Sequence, residues 1–109
     1  FQAAKEVSDS SGTQVWAIGV DSDQYESVGD ASLQPFILTS MLKQVNVAVY
    51  DTIQSFVEGT PATGHTIFDL ESGGVDYSKS GGFVDDISDQ LDDLKQQIID
   101  GDITVPTEP

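Results

Sequence analysis

The stretch Trp16-Ala-Ile-Gly-Val-Asp-Ser-Asp-Gln24 decides how the rest of the sequence is interpreted, because an apolar run ends here in two carboxylates. An apolar run of this length predicts a buried strand, which we place at Val15 to Val20. An acid that follows such a strand lies at the edge where open α/β sheets bind their ligands. Asp21 is therefore the first candidate site residue, and Asp23 lies close behind it.

The longest patterned segment runs from Pro35 to Gly59, and its only cation is Lys43. Apolar residues recur every four positions through it, which predicts one long helix that begins at Pro35 and ends before Gly59. The β-branched residues in its middle lower helix propensity, so a strand is the competing interpretation. A strand of more than about twenty residues is implausible, and the helix is preferred.

The remaining segments complete an alternating order. Phe1 to Val7 resembles the second half of a helix, Thr63 to Leu70 alternates like a strand, and Val84 to Asp100 has helical spacing. A turn and then the irregular segment Tyr77 to Gly82 precede that last helix, and Ile103 to Val105 predicts a short edge strand. The order of helices and strands predicts an α/β fold of at most one domain, with parallel strands joined by crossover helices.

Composition excludes several classes of function. Nineteen acids against four lysines, without arginine, give a net charge of −15, which would repel a phosphate backbone and disfavours nucleic-acid binding. Without cysteine there is no disulfide, thiol nucleophile or thiolate metal site. No apolar run is long enough to span a membrane. His65 is the only histidine, and no catalytic triad or P-loop is present, so we expect neither an enzyme nor a cofactor.

Two residues carry the functional hypothesis, each with a plainer alternative. The two oxygens of the Asp21 carboxylate match the two hydroxyls of a vicinal diol such as ribose, but an acid here can also cap a turn or lie in solvent. Lys43 can donate to ligand oxygens or hold Asp21 ionised, and its plainer alternative is a solvated lysine in an exposed ion pair. Asp21-Ser-Asp23 lacks the remaining positions of a calcium loop.

Four segments resemble, in order and spacing, the carboxy-terminal third of the basic membrane protein family of substrate-binding lipoproteins, the purine-nucleoside receptors of ABC importers. The segments are Phe1-Gln-Ala-Ala-Lys5, Ala17-Ile-Gly-Val-Asp-Ser-Asp-Gln24, Ile37-Leu-Thr-Ser-Met-Leu-Lys43 with Val47-Ala-Val-Tyr50, and Ile98-Ile-Asp-Gly-Asp-Ile-Thr-Val-Pro106. The resemblance implies part of a type I periplasmic-binding-protein fold, a two-lobed clamshell of α/β lobes that closes on its ligand.

The resemblance also implies a function and roles for particular residues. Similar proteins bind guanosine, inosine or adenosine and deliver the nucleoside to an ABC permease in the membrane. Asp21 would accept hydrogen bonds from the ribose hydroxyls, and Lys43 would donate to ribose oxygens. Asp23 and Ser40 would lie near the site with a smaller part in it.

The family protein is about three times longer. Its amino-terminal lobe, which reads the purine base, and its lipid-anchoring cysteine have no counterpart in these 109 residues. We therefore expect a carboxy-terminal segment of an extracytoplasmic, lipid-anchored binding protein that by itself binds nucleosides weakly or not at all. The alternatives are a receiver-like signalling domain that accepts phosphate on Asp21 with help from a lysine, and an acidic interaction module without a small ligand.

Overall fold

The computed structural model describes residues 1–106 and shows helices alternating with strands. The helices are α1 (Gln2–Ser11), α2 (Gln24–Ser27), α3 (Val45–Val57) and α4 (Ser88–Ile99), and the strands are β1 (Ala17–Asp21), β2 (Ile37–Lys43) and β3 (Val75–Tyr77). Short 3-10 turns precede β2 at Ala31–Phe36 and α4 at Asp85–Ile87. The predicted α/β class is confirmed.

The three strands form one sheet in the order β1-β2-β3. Strand β1 runs parallel to β2, with Gly19 opposite Ser40 and Asp21 opposite Leu42. The connection between these two strands contains α2 and a 3-10 turn. Because parallel neighbours end at the same edge of a sheet, the carboxyl ends of β1 and β2 lie side by side.

The chain divides into two compact units. The first contains Phe1–Lys43 and Tyr77–Ile87, and the second contains Gln44–Asp76 and the chain from Ser88 onward. Apart from two glycines, the buried residues of the described chain all belong to the first unit, and they are Ile37, Val84, Ser8, Ser40 and Ser78. Three of these five are serines, so hydrogen bonds as well as apolar contacts hold the first unit together.

Glycine at position 19 lets two neighbours approach β1 closely. A Cβ atom built on Gly19 would overlap the side chain of Gln24, at the start of α2, and the hydroxyl of Ser40 on β2. The absence of a side chain at Gly19 therefore admits the start of α2 at close range. Gln24 also returns to the strand, because its side-chain amide donates to the carbonyl of Val20 at 3.3 Å.

The single helix predicted from Pro35 to Gly59 is wrong. Its first part is strand β2, Gln44 lies between the two elements, and only the part from Val45 onward is helical. The backbone N–H of Gln44 donates to the carbonyl of Gly74 at 2.9 Å, so a contact distant in sequence defines the break. Neither glycine nor proline marks this position. Lys43 is consequently the last residue of a strand, not a residue of the following helix.

Two predicted strands are also absent from the described residues. Thr63 to Leu70 pairs with no strand, and Ile67 in its middle is 80% exposed. Ile103 to Val105 is irregular, whereas β3 forms at Val75–Tyr77 after a glycine turn. Alternation of apolar and polar residues does not form a strand where no neighbouring strand pairs with the segment. The predicted first and last helices are confirmed by α1 and α4. No helix within residues 1–106 is both long and apolar enough to cross a membrane.

Candidate functional site

Asp21 and Lys43 meet at the carboxyl ends of the parallel strands β1 and β2. The Lys43 Nζ atom lies 2.7 Å from Oδ1 of Asp21, and the side chains are 58% and 65% exposed. Asp21 pairs with Leu42 in the strand register, which brings Lys43 to the position just beyond it. The structure therefore joins the two residues singled out by the sequence in one exposed ion pair. An exposed pair of this kind stabilises the fold by only about 0–1 kcal/mol.

The backbone of Asp21 has an uncommon conformation. Its φ angle is 76°, and no other non-glycine residue of the described chain has a positive φ. Aspartate tolerates this left-handed region better than most residues, but such a conformation still costs about 1 kcal/mol or more. The strand ends here in a sharp turn, closed by the N–H of Ser22 donating to the carbonyl of Val20 at 3.1 Å. Backbone strain of this kind is typical of functional sites.

The Asp23 carboxylate ties two distant segments together. Its Oδ2 atom accepts hydrogen bonds from the hydroxyls of Ser78 at 2.7 Å and Ser80 at 2.6 Å. Its Oδ1 atom accepts from the backbone N–H of Tyr25 at 3.1 Å and caps the first turn of α2. Partial burial raises the pKa of Asp23, but the hydrogen bonds from Ser80 and Ser78 and from the backbone outweigh it and hold the pKa below its usual range. Asp23 is therefore a charged residue that connects Ser78 and Ser80 to the start of α2.

Ser40 lies beneath this edge of the sheet rather than on it. Its side chain is fully buried, and its Oγ atom accepts from the backbone N–H of Gln24 at 3.1 Å. Its carbonyl accepts from the N–H of Ser78 at 2.9 Å. Ser40 thus connects β2 to the start of α2 and to the segment after β3, and its burial prevents direct contact with a ligand.

Sequence reasoning missed Ser78 and Ser80. They lie in the segment predicted to be irregular, and no motif connects them with Asp23. Ser78 is buried, and its carbonyl accepts from the Thr39 hydroxyl at 2.6 Å. The Ser-x-Ser spacing directs both hydroxyls to one carboxylate, but a pair of serines is too common in loops to indicate this.

The arrangement presents an exposed carboxylate and an exposed ammonium group side by side at the edge of the sheet. Such a pair offers hydrogen-bond acceptors and donors side by side, which is suited to a neutral ligand rich in hydroxyls. Within residues 1–106 no group of three or more acidic, histidine or cysteine side chains could hold a metal ion.

Comparison with known proteins identifies the family. The sequence pattern of the Bmp family, whose members are described as PnrA-like ABC transporter substrate-binding proteins, matches residues 1–108. The chain belongs to this family. The resemblance found in the four sequence segments is thereby confirmed, and the acidic interaction module and the receiver-like domain are no longer needed to explain the sequence.

Two named proteins from other organisms are also similar in sequence to this chain. The chain is 36% identical over 100 residues to the ABC transporter nucleoside-binding protein BmpA of Lactococcus lactis, and 34% identical over 101 residues to the CD4+ T-cell-stimulating antigen of Listeria monocytogenes. These matches cover 86% and 87% of this chain but 28% of each relative. The chain therefore spans little more than a quarter of the length of these relatives.

A solved structure confirms the fold of the PnrA-like chain. An ABC transporter solute-binding protein from Aeropyrum pernix matches with a TM-score of 0.59 and 26% sequence identity. The match covers 98% of this chain and 36% of that protein. The α/β architecture is accordingly that of part of a solute-binding protein.

Proposed function

We propose that this chain is the carboxy-terminal, ribose-binding segment of a two-lobed protein that captures a purine nucleoside for an ABC importer. The observation that carries the proposal is the meeting of Asp21 and Lys43 at the carboxyl ends of two parallel strands. Membership of the PnrA-like family and the nucleoside-binding relative from Lactococcus lactis support it.

Asp21 and Lys43 would divide the recognition of ribose between them. The Asp21 carboxylate would accept hydrogen bonds from the two ring hydroxyls, and the Lys43 ammonium group would donate to a ribose oxygen. Hydrogen bonds with one charged partner are stronger than neutral ones, at about 1.5–3 kcal/mol each. Because the ion pair between the two side chains is exposed and weak, they can turn from each other to the ligand at little cost.

The residues behind this pair would keep it in position. Asp23 fastens the Ser78–Ser80 segment to the start of α2, and Ser40 fastens β2 to the same helix. Neither needs to contact the nucleoside. Both would act by fixing the turn from which Asp21 projects, since a binding group must be held rigidly to avoid an entropic cost on binding.

The parts of the function that require more polypeptide belong to the whole protein. Recognition of the purine base would belong to an amino-terminal lobe supplied by the rest of the protein. The rest of the protein would also carry the lipid anchor that holds it at the extracytoplasmic membrane surface. Delivery to a permease would likewise be a property of the whole protein. The 109-residue chain alone should therefore show no submicromolar binding of guanosine, inosine or adenosine by titration calorimetry.

The test compares nucleosides with and without ribose hydroxyls on the longer protein that contains this segment. The unaltered protein should bind inosine roughly 100-fold more tightly than 2′,3′-dideoxyinosine, because two hydrogen bonds to a charged group are lost. Asp21→Ala should weaken inosine binding by a similar factor and abolish the difference between the two ligands.

Asp30→Ala is the matched control for that test. Asp30 is an exposed acid of the same unit, and its carboxylate accepts from the N–H of Ser32 at 2.9 Å. This variant should bind both nucleosides within about twofold of the unaltered protein, since an acid remote from the ligand contributes little through screened charge. A preference for inosine that persists in Asp21→Ala would show that Asp21 does not bind the ribose.

A further inference from the structure

Asp21 lies at the centre of a strained three-residue turn. The turn runs from Val20 to Ser22, and its closing bond is donated by the N–H of Ser22 to the carbonyl of Val20 at 3.1 Å. A bond between residues two apart, around a central φ of 76°, is the pattern of the γ-turn with positive φ, which is rare and strained. Such a backbone persists only where the surrounding contacts hold it. The contacts on this turn therefore determine where the Asp21 carboxylate points.

The Gln24 side chain bonds to both ends of this turn. Its Nε2 atom donates to the carbonyl of Val20 at 3.3 Å and to the hydroxyl oxygen of Ser22 at 3.1 Å. Both hydrogens of one amide group are thus used on the two residues that flank Asp21. Because the amide group is planar, it holds these two partners in a fixed geometry.

The rest of Gln24 is itself held in place. Its backbone N–H donates to Oγ of Ser40 at 3.1 Å, and Ser40 is fully buried in β2. Its Cβ and Cγ atoms lie beside Gly19, in the space that a side chain at that position would need. Since these contacts already restrict the side chain, little conformational freedom remains to be lost when its amide group bonds to the turn.

We infer that Gln24 is a positioning residue for the Asp21 carboxylate. Its amide group holds Val20 and Ser22, and these two residues hold the strained backbone from which Asp21 projects. The inference rests on the ribose-binding role proposed for Asp21, and it adds the residue that fixes the direction of that carboxylate. A binding group that is already held in position loses less entropy when the ligand arrives.

Gln24 also connects the turn to the residues proposed to support it. Ser40 bonds to the backbone of Gln24, and Asp23 caps the first turn of the helix that Gln24 begins. The side chain of Gln24 then bonds to Val20 and Ser22. A continuous set of hydrogen bonds therefore joins the buried part of β2 to the two neighbours of the ligand-binding acid.

Gln24→Met tests the inference. Methionine keeps the Cβ and Cγ atoms that lie beside Gly19 and removes both N–H donors, so the packing is retained while the two hydrogen bonds are lost. Gln34→Met is the matched control, because Gln34 of the same unit donates from its Nε2 atom to a carbonyl outside the turn, that of Tyr25, at 2.9 Å. Inosine and 2′,3′-dideoxyinosine are titrated into the longer protein that contains this segment.

The preference for inosine over 2′,3′-dideoxyinosine, roughly 100-fold in the unaltered protein, should fall to about 10-fold or less in Gln24→Met. The affinity for 2′,3′-dideoxyinosine should stay within about twofold, since this ligand lacks the hydroxyls that Asp21 would bind. Gln34→Met should keep the full preference. A general loss of structure would weaken the binding of both ligands together. Such equal weakening, or an unchanged preference in Gln24→Met, would overturn the inference.

Unfolding of the 109-residue chain by urea tests the turn without any nucleoside. The unfolding equilibrium constant of Asp21→Ala should be about fivefold larger than that of Asp21→Gly, because alanine is strained at a positive φ. When Gln24→Met is added to both, this ratio should fall below about twofold, since the turn can then relax. An unchanged ratio would show that Gln24 does not hold the turn. If Asp21→Ala keeps the preference for inosine, the ribose-binding role fails and the ligand part of the inference fails with it, whereas the unfolding ratio still decides whether Gln24 holds the turn.

Discussion

The ammonium group of Lys43 lies 2.7 Å from the carboxylate of Asp21, and each residue is the last of its strand. The pair exists because β1 and β2 are parallel neighbours that end at the same edge of the sheet. Since both side chains are exposed, their attraction contributes little to the stability of the fold. The role proposed for the pair is therefore in ligand binding rather than in folding.

The positive φ of Asp21 predicts an unusual order of stabilities among variants. Glycine adopts this conformation without strain, whereas alanine does not, so Asp21→Ala should be less stable than Asp21→Gly by about 1 kcal/mol. Urea unfolding of the two variants measures the difference. Equal stabilities would mean that the left-handed conformation of Asp21 is not retained in solution. Both variants should lose nucleoside binding in the longer protein, because neither has the carboxylate.

Lys43→Met should separate binding from stability. Methionine keeps much of the length of the side chain and removes the charge, so the free energy of unfolding should change by no more than about 1 kcal/mol. Loss of a hydrogen bond from a charged donor should weaken nucleoside binding in the longer protein by roughly 10-fold or more. Thermal unfolding and titration calorimetry on the same samples measure both quantities. Unchanged affinity would remove Lys43 from the proposed site.

The lowered pKa of Asp23 predicts a pH-dependent stability. Because the folded-state pKa lies below the unfolded value of about 3.9, the contribution of Asp23 is fully present above that pH. It is lost as the pH falls through the folded-state pKa and the carboxylate takes up a proton. Asp23→Asn should therefore be less stable than the unaltered chain at pH 7, and the difference should shrink at pH 3.

Comparison with a variant is needed because the pKa values of two other carboxyls are shifted in the same direction as that of Asp23. Hydrogen bonds from Ser32 to Asp30 and from Ser72 to Asp69 hold the pKa of each of these carboxyls below its usual range. Both remain in Asp23→Asn, so their contribution cancels in the difference between the two proteins. A difference that is the same at pH 7 and pH 3 would contradict the role assigned to the Asp23 carboxylate.

The close approach at Gly19 predicts a large effect from one methyl group. Gly19→Ala should destabilise the chain by about 1–3 kcal/mol, because the Cβ atom would overlap Gln24 and Ser40. Gly29→Ala is the matched control, since a Cβ atom there meets nothing within 4 Å, and it should be neutral or stabilising by up to about 1 kcal/mol. Denaturant unfolding gives both values. Similar stabilities for the two variants would show that α2 does not pack closely on β1.

Local signals in the sequence were sufficient for some elements. The helix α1 ends at Gly12, which has a φ of 67°, and α4 is followed by Gly101 with a φ of 82°. Glycine can take the left-handed conformation that ends a helix, so the residue type and the structural event coincide. Strand β1 was predicted because an apolar run stops abruptly at a charged residue.

The boundary between β2 and α3 could not be found in this way. Gln44 is neither glycine nor proline, and the four-residue apolar spacing continues across it. A strand and a helix can share such a spacing when the segment is short, and the partner strand then decides between them. Ile37 is fully buried and Ile53 is exposed, although the pattern treats them alike.

The amino-acid sequence by itself determined the family, the α/β class and the placement of Asp21 at the end of a strand, since these depend on residue types and local order. Only the tertiary structure decided that Lys43 ends the neighbouring strand, and that Asp23 holds Ser78 and Ser80. These contacts join residues far apart in the chain. Local propensity carries no information on which strand or loop returns to a given edge, because that outcome depends on the packing of the whole unit.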